Sequence, residues 1–366
     1  MRSLKDRGLP RRRSGSWSWC IGHPHTGIMR RLHNPLATPA SVMHPLTDSI
    51  ALRPEGSPLF TPLPSLRVLT AAGADALNFL HGQLTQDVTG LPADGARFAG
   101  YCTAKGRLLA TLVLWRDGPE SLQALVRADL AEALAKRLSM FVLRAKVKIS
   151  LTERAIAGVS ANPSDLDALS QAAGGALPTV AWARAELPSG TWITAPGTGL
   201  RWWWVADADQ IQHHGSALAA VLGLADEDSW RAADLAAGLP WIAAATQDLF
   251  IPQTVNLELI GGVSFTKGCY PGQEVVARSH YRGTVKRRMA CGVTALPVPA
   301  PGVDIYDAAE PGEPVGRVVD AARAGDAASL LFETTLAALP GNQLRLGAPD
   351  GPAIALTELP YSIQPQ

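Results

Sequence analysis

From about residue 60 onward the chain alternates between two hydrophobic periods, and this restricts its possible folds more than any other feature. Leu66-Arg67-Val68-Leu69-Thr70 has strand-like spacing. Ala74 to Leu84 follows with Ala76, Leu77, Leu80 and Leu84 at helical spacing behind Asp75, a candidate cap. Phe98 to Trp115 and Ser121 to Arg127 predict strands about a turn at Lys105-Gly106. Leu130 to Met140 predicts a helix, and Phe141 to Leu151 returns to an extended pattern. Strands and helices mixed in this order predict an α+β fold rather than a doubly wound sheet. Neither a G-x-G-x-x-G fingerprint nor a P-loop is present. Pro163, Gly174-Gly175, Pro188-Ser189-Gly190 and Pro196-Gly197 mark loops between short elements. Arg201-Trp202-Trp203-Trp204-Val205 predicts a strand whose neighbouring indoles face opposite sides and fill core; a platform for stacking a base or pterin is the alternative. Beyond Met289, short apolar runs such as Val315 to Val319 and Ser329 to Phe332 predict a small antiparallel β unit.

At 366 residues, 47% hydrophobic and 18% charged, the chain is long enough for two or three packed domains. A formal net charge of +1 supplies no whole-molecule field for a polyanion or an anionic membrane, so any such attraction must be local. The four cysteines, Cys20, Cys102, Cys269 and Cys291, include no C-x-x-C pair, which fits reduced thiols in a cytoplasmic protein. No apolar run approaches the roughly 18 residues of a membrane span. Residues 1–45 stand apart, with eight Lys/Arg, among them Arg11, Arg12 and Arg13, against the single acid Asp6. This segment is expected to be a disordered or spurious extension with Met43 as a start. A targeting peptide, which would direct the protein to the mitochondrial matrix, and a basic arm for nucleic acid are the other readings.

The stretch from Trp230 to Arg288 carries the chemistry. Lys267-Gly268-Cys269-Tyr270-Pro271-Gly272-Gln273-Glu274 brackets one thiol with glycine and proline, a loop suited to presenting a side chain. Lys267 precedes the thiol by two positions. Arg278, His280, Arg282, Lys286, Arg287 and Arg288 follow, with no acid between Glu274 and Asp304. A field of that sign favours a thiolate at Cys269, whereas an inert free cysteine has no need of it. The same basic run would suit an oligoanionic tail or a phosphate backbone.

The residues around this loop resemble the YgfZ folate-binding family. The likeness is carried by Gly238-Leu239-Pro240, Phe250-Ile251-Pro252-Gln253, Asn256-Leu257, Gly261-Gly262-Val263-Ser264-Phe265 and Lys267 to Arg278. Gly82-Gln83-Leu84-Thr85-Gln86-Asp87-Val88, Cys102-Thr103-Ala104-Lys105-Gly106-Arg107 and Leu359-Pro360-Tyr361-Ser362 flank it in the family's order. The resemblance implies kinship with the aminomethyltransferase T-protein: a multi-domain, ring-shaped α+β architecture ending in a small β-barrel, with tetrahydrofolate or a derivative in the central opening. The implied domains are residues 46–150, folate-binding; 151–288, carrying the thiol motif and packing back on the first; and 289–366, the barrel. Implied too is a cytoplasmic accessory role in assembling or repairing iron-sulfur clusters. Its partners would be folate, client iron-sulfur enzymes and tRNA or tRNA-modifying enzymes, without a membrane.

Residue by residue, the family thiol falls on Cys269 with Lys267 beside it, and the folate-associated tryptophan on Trp230. Tyr270, Gly272, Gln273, Glu274 and Arg278 complete the implied cofactor-binding set. One thiolate does not hold a cluster that commonly wants four ligands, so no stable metal is expected; a transient ligand or a mixed-disulfide partner is. The paired aspartates of the T-protein enzyme fall on Ala110 and Thr111, which removes the carboxylate that aminomethyl transfer uses and weighs against enzymatic turnover. A pterin-holding carboxylate of that enzyme falls on Ala236, and a further family tryptophan on Leu66. A folate-dependent aminomethyl or one-carbon transferase using other residues, a tRNA-binding module, and a scaffold with structural folate are the alternative readings.

Overall fold

A computed structural model of the protein describes residues 46–48, 50, 57–281, 283 and 285–363. The expected extension of residues 1–45, and Arg282, lie outside the described residues. Three sheets organise the described residues. The first has five antiparallel strands in the order β3-β4-β5-β2-β6: β2 (Leu66–Ala72), β3 (Ala96–Cys102), β4 (Leu108–Arg116), β5 (Ser121–Arg127) and β6 (Lys148–Thr152). The second joins β1 (Leu59–Pro62) to β7 (Ala155–Ala161), β8 (Arg184–Leu187), β9 (Gly190–Thr194), β10 (Leu200–Ala206) and β11 (Gly223–Leu224). The third is built from β12 (Arg287–Ala295), β13 (Asp304–Asp307), β14 (Gly316–Ala324), β15 (Ala327–Thr335), β16 (Leu344–Leu346) and β17 (Ala355–Thr357). The amide of Ile354 donates to the Leu344 carbonyl at 3.0 Å, drawing the two edges of this last sheet together into a curled half-barrel.

The helices follow their apolar faces. Helix α1 covers Ala76–His81, α2 Ala128–Met140, α3 Leu166–Ala173, α4 Ala208–Ala219, α5 Glu227–Ala236 and α6 Gln273–Tyr281. In α2, Leu130, Ala131, Leu134 and Leu138 recur every three or four residues and are all buried. The predicted helix over residues 74–84 shortens to α1 because its last turn is used elsewhere: Leu84 bridges Tyr101, and the Thr85 amide donates to the Gly100 carbonyl. Asp75 does not cap α1; its carboxylate accepts from the Lys146 amide at 2.6 Å instead. Residues 141–147 are not strand, and Phe141 and Leu143, counted into that alternation, lie exposed.

Strand β10 disposes its tryptophans as pleating requires. Trp202 and Trp204 pack with Trp192 and Phe60 on one side, while Trp203 joins the larger core on the other. Helix α5 begins at Asp226, whose side chain accepts from the Ser229 amide, and it links the second and third sheets through charge. Asp234 pairs with Arg201 of β10 at 2.7 Å and accepts from the Trp241 indole at 3.1 Å. Arg231 pairs with Asp320 of β14 at 2.7 Å, and Arg127, the last residue of β5, also approaches Asp320. Burial pushes the Asp234 carboxyl up from its ordinary range, and the Arg201 guanidinium opposes that shift.

Candidate functional site

The thiol loop is seated by a glycine-to-glycine contact. Gly272 has a φ of +82°, and a Cβ there would fall 2.4 Å from the Thr103 carbonyl oxygen and 2.5 Å from Gly106 Cα. Gly106, at φ +74°, in turn lies against Val275 of α6 and the Gly272 carbonyl. Two motifs separated by some 160 residues of sequence thus press backbone on backbone. Lys267 runs inward. Its amine donates to the carbonyls of His81 and Leu84 and sits 4.9 Å from the centre of the Tyr270 ring. Burial brings the amine down to about 8, with Asp87 and Cys269 opposing the shift. Tyr270 is itself buried, and desolvation pushes its phenol up. Cys269, between the half-buried Lys267 and the buried Tyr270, is exposed. Cys102 and Cys291 are buried, and burial pushes the Cys102 thiol up to about 12.

A second pair of motifs forms the adjoining wall. Thr85 donates its hydroxyl to the Gly262 carbonyl at 2.6 Å and accepts from the Gly100 amide, Gln86 donates to the Gly261 carbonyl, and the Ser264 amide donates to the Thr85 carbonyl. Asp87 accepts from the Gly90 amide at 2.9 Å and the Thr89 hydroxyl at 2.8 Å, and its Oδ1 lies 3.2 Å from His81 Nδ1. These contacts, the Gly90 amide foremost, hold its carboxyl below the ordinary range. Arg97 clamps the same turn by donating to the carbonyls of Asp87 and Gly90.

Beside this wall is a cavity of about 700 Å³, lined by Asp87, Arg97, Phe98, Trp182, Phe265 and Thr266 among others. Trp182 holds a left-handed backbone, φ +68°, which is a strained state for a bulky residue. It is fixed there because its carbonyl accepts from the Ala96 amide while its amide donates to the Thr194 carbonyl, linking the first sheet to the second. Its ring stacks on Trp203 at 5.9 Å.

The residues expected at the site divide into two groups. Cys269, Lys267, Tyr270, Gly272, Gln273, Glu274 and Arg278 share the loop and the first turns of α6, where Gln273 is half-buried and Glu274 and Arg278 are exposed. Trp230 is elsewhere, only 4% exposed on α5, with its ring over Gly158 and the Arg201 guanidinium 4.1 Å from its centroid. It lines a separate cavity of about 560 Å³ and connects to Trp182 of the first cavity through Trp203, which it meets edge-on at 6.2 Å. The basic run does not form one face. Arg288 is buried and paired with Glu258, and Arg287 pairs with Glu333 at 2.6 Å. Arg278 and Lys286 are exposed. Thr111 is buried and commits its hydroxyl to the Pro240 carbonyl and the Ile242 amide. Sequence reasoning missed Trp182, Arg97 and His81; of these only His81, adjoining the Gly82 to Val88 segment, had a signal.

No protein-family model matches the chain. A crystal structure of the glycine cleavage system aminomethyltransferase T from Bartonella henselae matches it with a TM-score of 0.68 at 15% identity, covering 89% of this chain and 91% of that one. The fold is therefore the α+β fold of aminomethyltransferase T. Among sequences, the tRNA-modifying protein YgfZ of Yersinia pseudotuberculosis is 31% identical over 336 residues, 89% of this chain and 98% of that protein. The protein of the same name from Edwardsiella ictaluri is 34% identical over 235 residues, 60% of this chain and 66% of that protein. The chain belongs to the YgfZ family.

Proposed function

We propose that this protein binds a reduced folate in the cavity beside Trp182 and presents Cys269 at its rim, supporting the assembly or repair of iron-sulfur clusters on client enzymes, tRNA-modifying ones among them. The observation that carries this reading is the convergence of four separate motif segments around the loop of one exposed thiol, a loop that follows directly on Phe265 and Thr266 of an aromatic-lined cavity. The lining suits a flat heteroaromatic ligand. Phe98, Trp182 and Phe265 supply faces, Asp87 supplies an acceptor, and about 700 Å³ lies within the range of ligand pockets. A bound folate would supply a reduced pterin. The chain's own residues orient it and shield it from water, and the exposed Arg278 stands at α6 for its anionic tail. Trp230 then acts as a buttress, setting Trp203 and through it Trp182. Lys267 acts as a strut that holds the thiol loop on residues 81–84.

The name of the Yersinia and Edwardsiella relatives brings work on tRNA into this proposal. With Arg287 and Arg288 engaged internally, the continuous basic face that would bind tRNA directly is broken, which favours a route through client enzymes. Two measurements test the function. Calorimetric titration with tetrahydrofolate should show binding that weakens about tenfold or more in Trp182→Ala and survives in Cys269→Ala. In cells lacking the protein, Cys269→Ala should fail to restore client iron-sulfur activity. Absence of folate binding in every variant sinks the cofactor assignment, and full restoration by Cys269→Ala sinks the role of the thiol.

A further inference from the structure

The geometry points to His81, oriented by Asp87, as the group that takes the proton from Cys269, making the exposed thiol a nucleophile. This rests on the reading of Cys269 as the working thiol and adds its proton acceptor.

His81 is the last residue of α1, and the contacts of Lys267 pin its carbonyl to the thiol loop. The two ring nitrogens face opposite tasks. Nδ1 lies 3.2 Å from Asp87 Oδ1 and 3.3 Å from the Thr89 hydroxyl, and that hydroxyl already donates to the same carboxylate oxygen. The proton between ring and carboxylate therefore belongs to Nδ1 in the neutral imidazole, which leaves Nε2 as the free acceptor. Nε2 faces the thiol loop: a Cβ built on Gly268, the residue before Cys269, would lie 3.6 Å from it and would meet nothing else nearby. Cys269 is exposed, so its thiol has room to turn toward Nε2 directly or through one water. A nucleophile, a base and a carboxylate that orients the base is the arrangement that activates thiols in general.

Among the described residues, four charged or polar groups are tied to this imidazole or to its carboxylate partner. Asp87 and Thr89 lie on its Nδ1 side. Lys267 is bound to its carbonyl, and Arg97 is bound to the carbonyl of Asp87. Asp87 positions the ring and stabilises the imidazolium once formed.

The Cys269 S–H proton passes to Nε2, giving thiolate and imidazolium. With iodoacetamide as the electrophile the thiolate attacks the methylene carbon, forming a C–S bond as the C–I bond breaks and iodide leaves, and the imidazolium returns its proton to solvent.

The test needs neither folate nor client. Alkylation of Cys269 in the full chain by iodoacetamide is followed across pH by peptide mass spectrometry in wild type, His81→Gln, His81→Ala and Asp87→Asn. Near neutrality His81→Gln should react roughly tenfold more slowly; the effect stays below a full general-base contribution because a thiol is already a few per cent ionised there. The wild-type pH–rate profile should carry a lower-pH limb that both His81 variants lack. Added free imidazole should recover part of the rate in His81→Ala, which a merely structural role would not allow. Asp87→Asn should fall between wild type and His81→Gln. A folded His81→Gln protein whose rate and profile lie within about twofold of wild type overturns the inference. Should the variants not fold, the midpoint of His81 in an NMR titration decides it: a shift in Cys269→Ser supports the pairing, and an unchanged midpoint refutes it. Loss of folate binding with the alkylation effect intact would count against the cofactor reading alone.

Discussion

Replacing Gly272 by alanine separates the two demands that the structure makes at that position. The first is conformational. A φ of +82° costs an L residue about 1–2 kcal/mol. The second is spatial. The new methyl would stand 2.4 Å from the Thr103 carbonyl oxygen and 2.6 Å from the Gly106 amide nitrogen, and both obstacles are backbone, which cannot rotate away. Forcing the turn and the loop apart is an overpacking change of about 1–3 kcal/mol, for a total loss of about 2–5 kcal/mol. Gly261 provides the internal control. Its φ is +74°, but a Cβ there would meet nothing within 4 Å, so Gly261→Ala should lose only the conformational part, about 1–2 kcal/mol. Urea unfolding followed by tryptophan fluorescence reads both as shifts in midpoint at constant slope. If the two variants were equally destabilised, within about 0.5 kcal/mol, the close seating of the loop on the Thr103–Arg107 turn would be wrong.

Arg288→Met should cost about 3–5 kcal/mol, because it strands Glu258 in the interior, and Glu258→Leu in the same chain should recover most of that loss in urea unfolding. Burial pushes the Glu258 carboxyl up while Arg288 opposes the shift, so without the arginine the protonated form is favoured. The deficit of Arg288→Met relative to wild type should therefore grow as pH rises above the ordinary carboxylate value of 4.5. For Lys267, burial lowers the amine from 10.5 to about 8, so the unfolded chain binds more protons between those values. Wild type should gain stability over Lys267→Met as pH rises through that window, and thermal melts of the two proteins would show the curves converging or crossing. A constant gap between them would contradict the burial of the amine.

Much of the strand and helix content was legible because it obeys one period at a time. α2 keeps its apolar residues on one face, β2 buries Leu66 and Val68 on one side and Leu69 and Ala71 on the other, and the indoles of β10 divide between two cores as a pleated strand dictates. Where a segment had to satisfy a distant partner, the local pattern misled. The end of the predicted first helix was taken up by pairing with β3, and Asp75 was drawn to the Lys146 amide rather than to its own helix. The thiol loop was legible from Gly268, Cys269 and Gly272, but its seat on Gly106 was not, since spacing along a chain says nothing about which two glycines meet. Trp182 gave no sign at all: a left-handed tryptophan is imposed by hydrogen bonds from two sheets, and nothing in its neighbours announces it. The basic run was equally opaque, because Glu258 and Glu333, which absorb two of its members, lie 30 and 46 residues away in sequence.

The charge pairs on α5 have a mechanical meaning. Apolar faces are tolerant, and one greasy sheet can slide a residue past another at small cost. A guanidinium bridged to Asp320, or a carboxylate held between Arg201 and Trp241, is not tolerant: displaced by one position, it would face hydrocarbon with no partner, a penalty of several kcal/mol. Helix α5 therefore works like the wards of a lock, admitting one relative angle between the second and third sheets, while Arg127 ties the first sheet to the same Asp320. The loop that carries Cys269 rests on the turn between β3 and β4, and it inherits its alignment from this key.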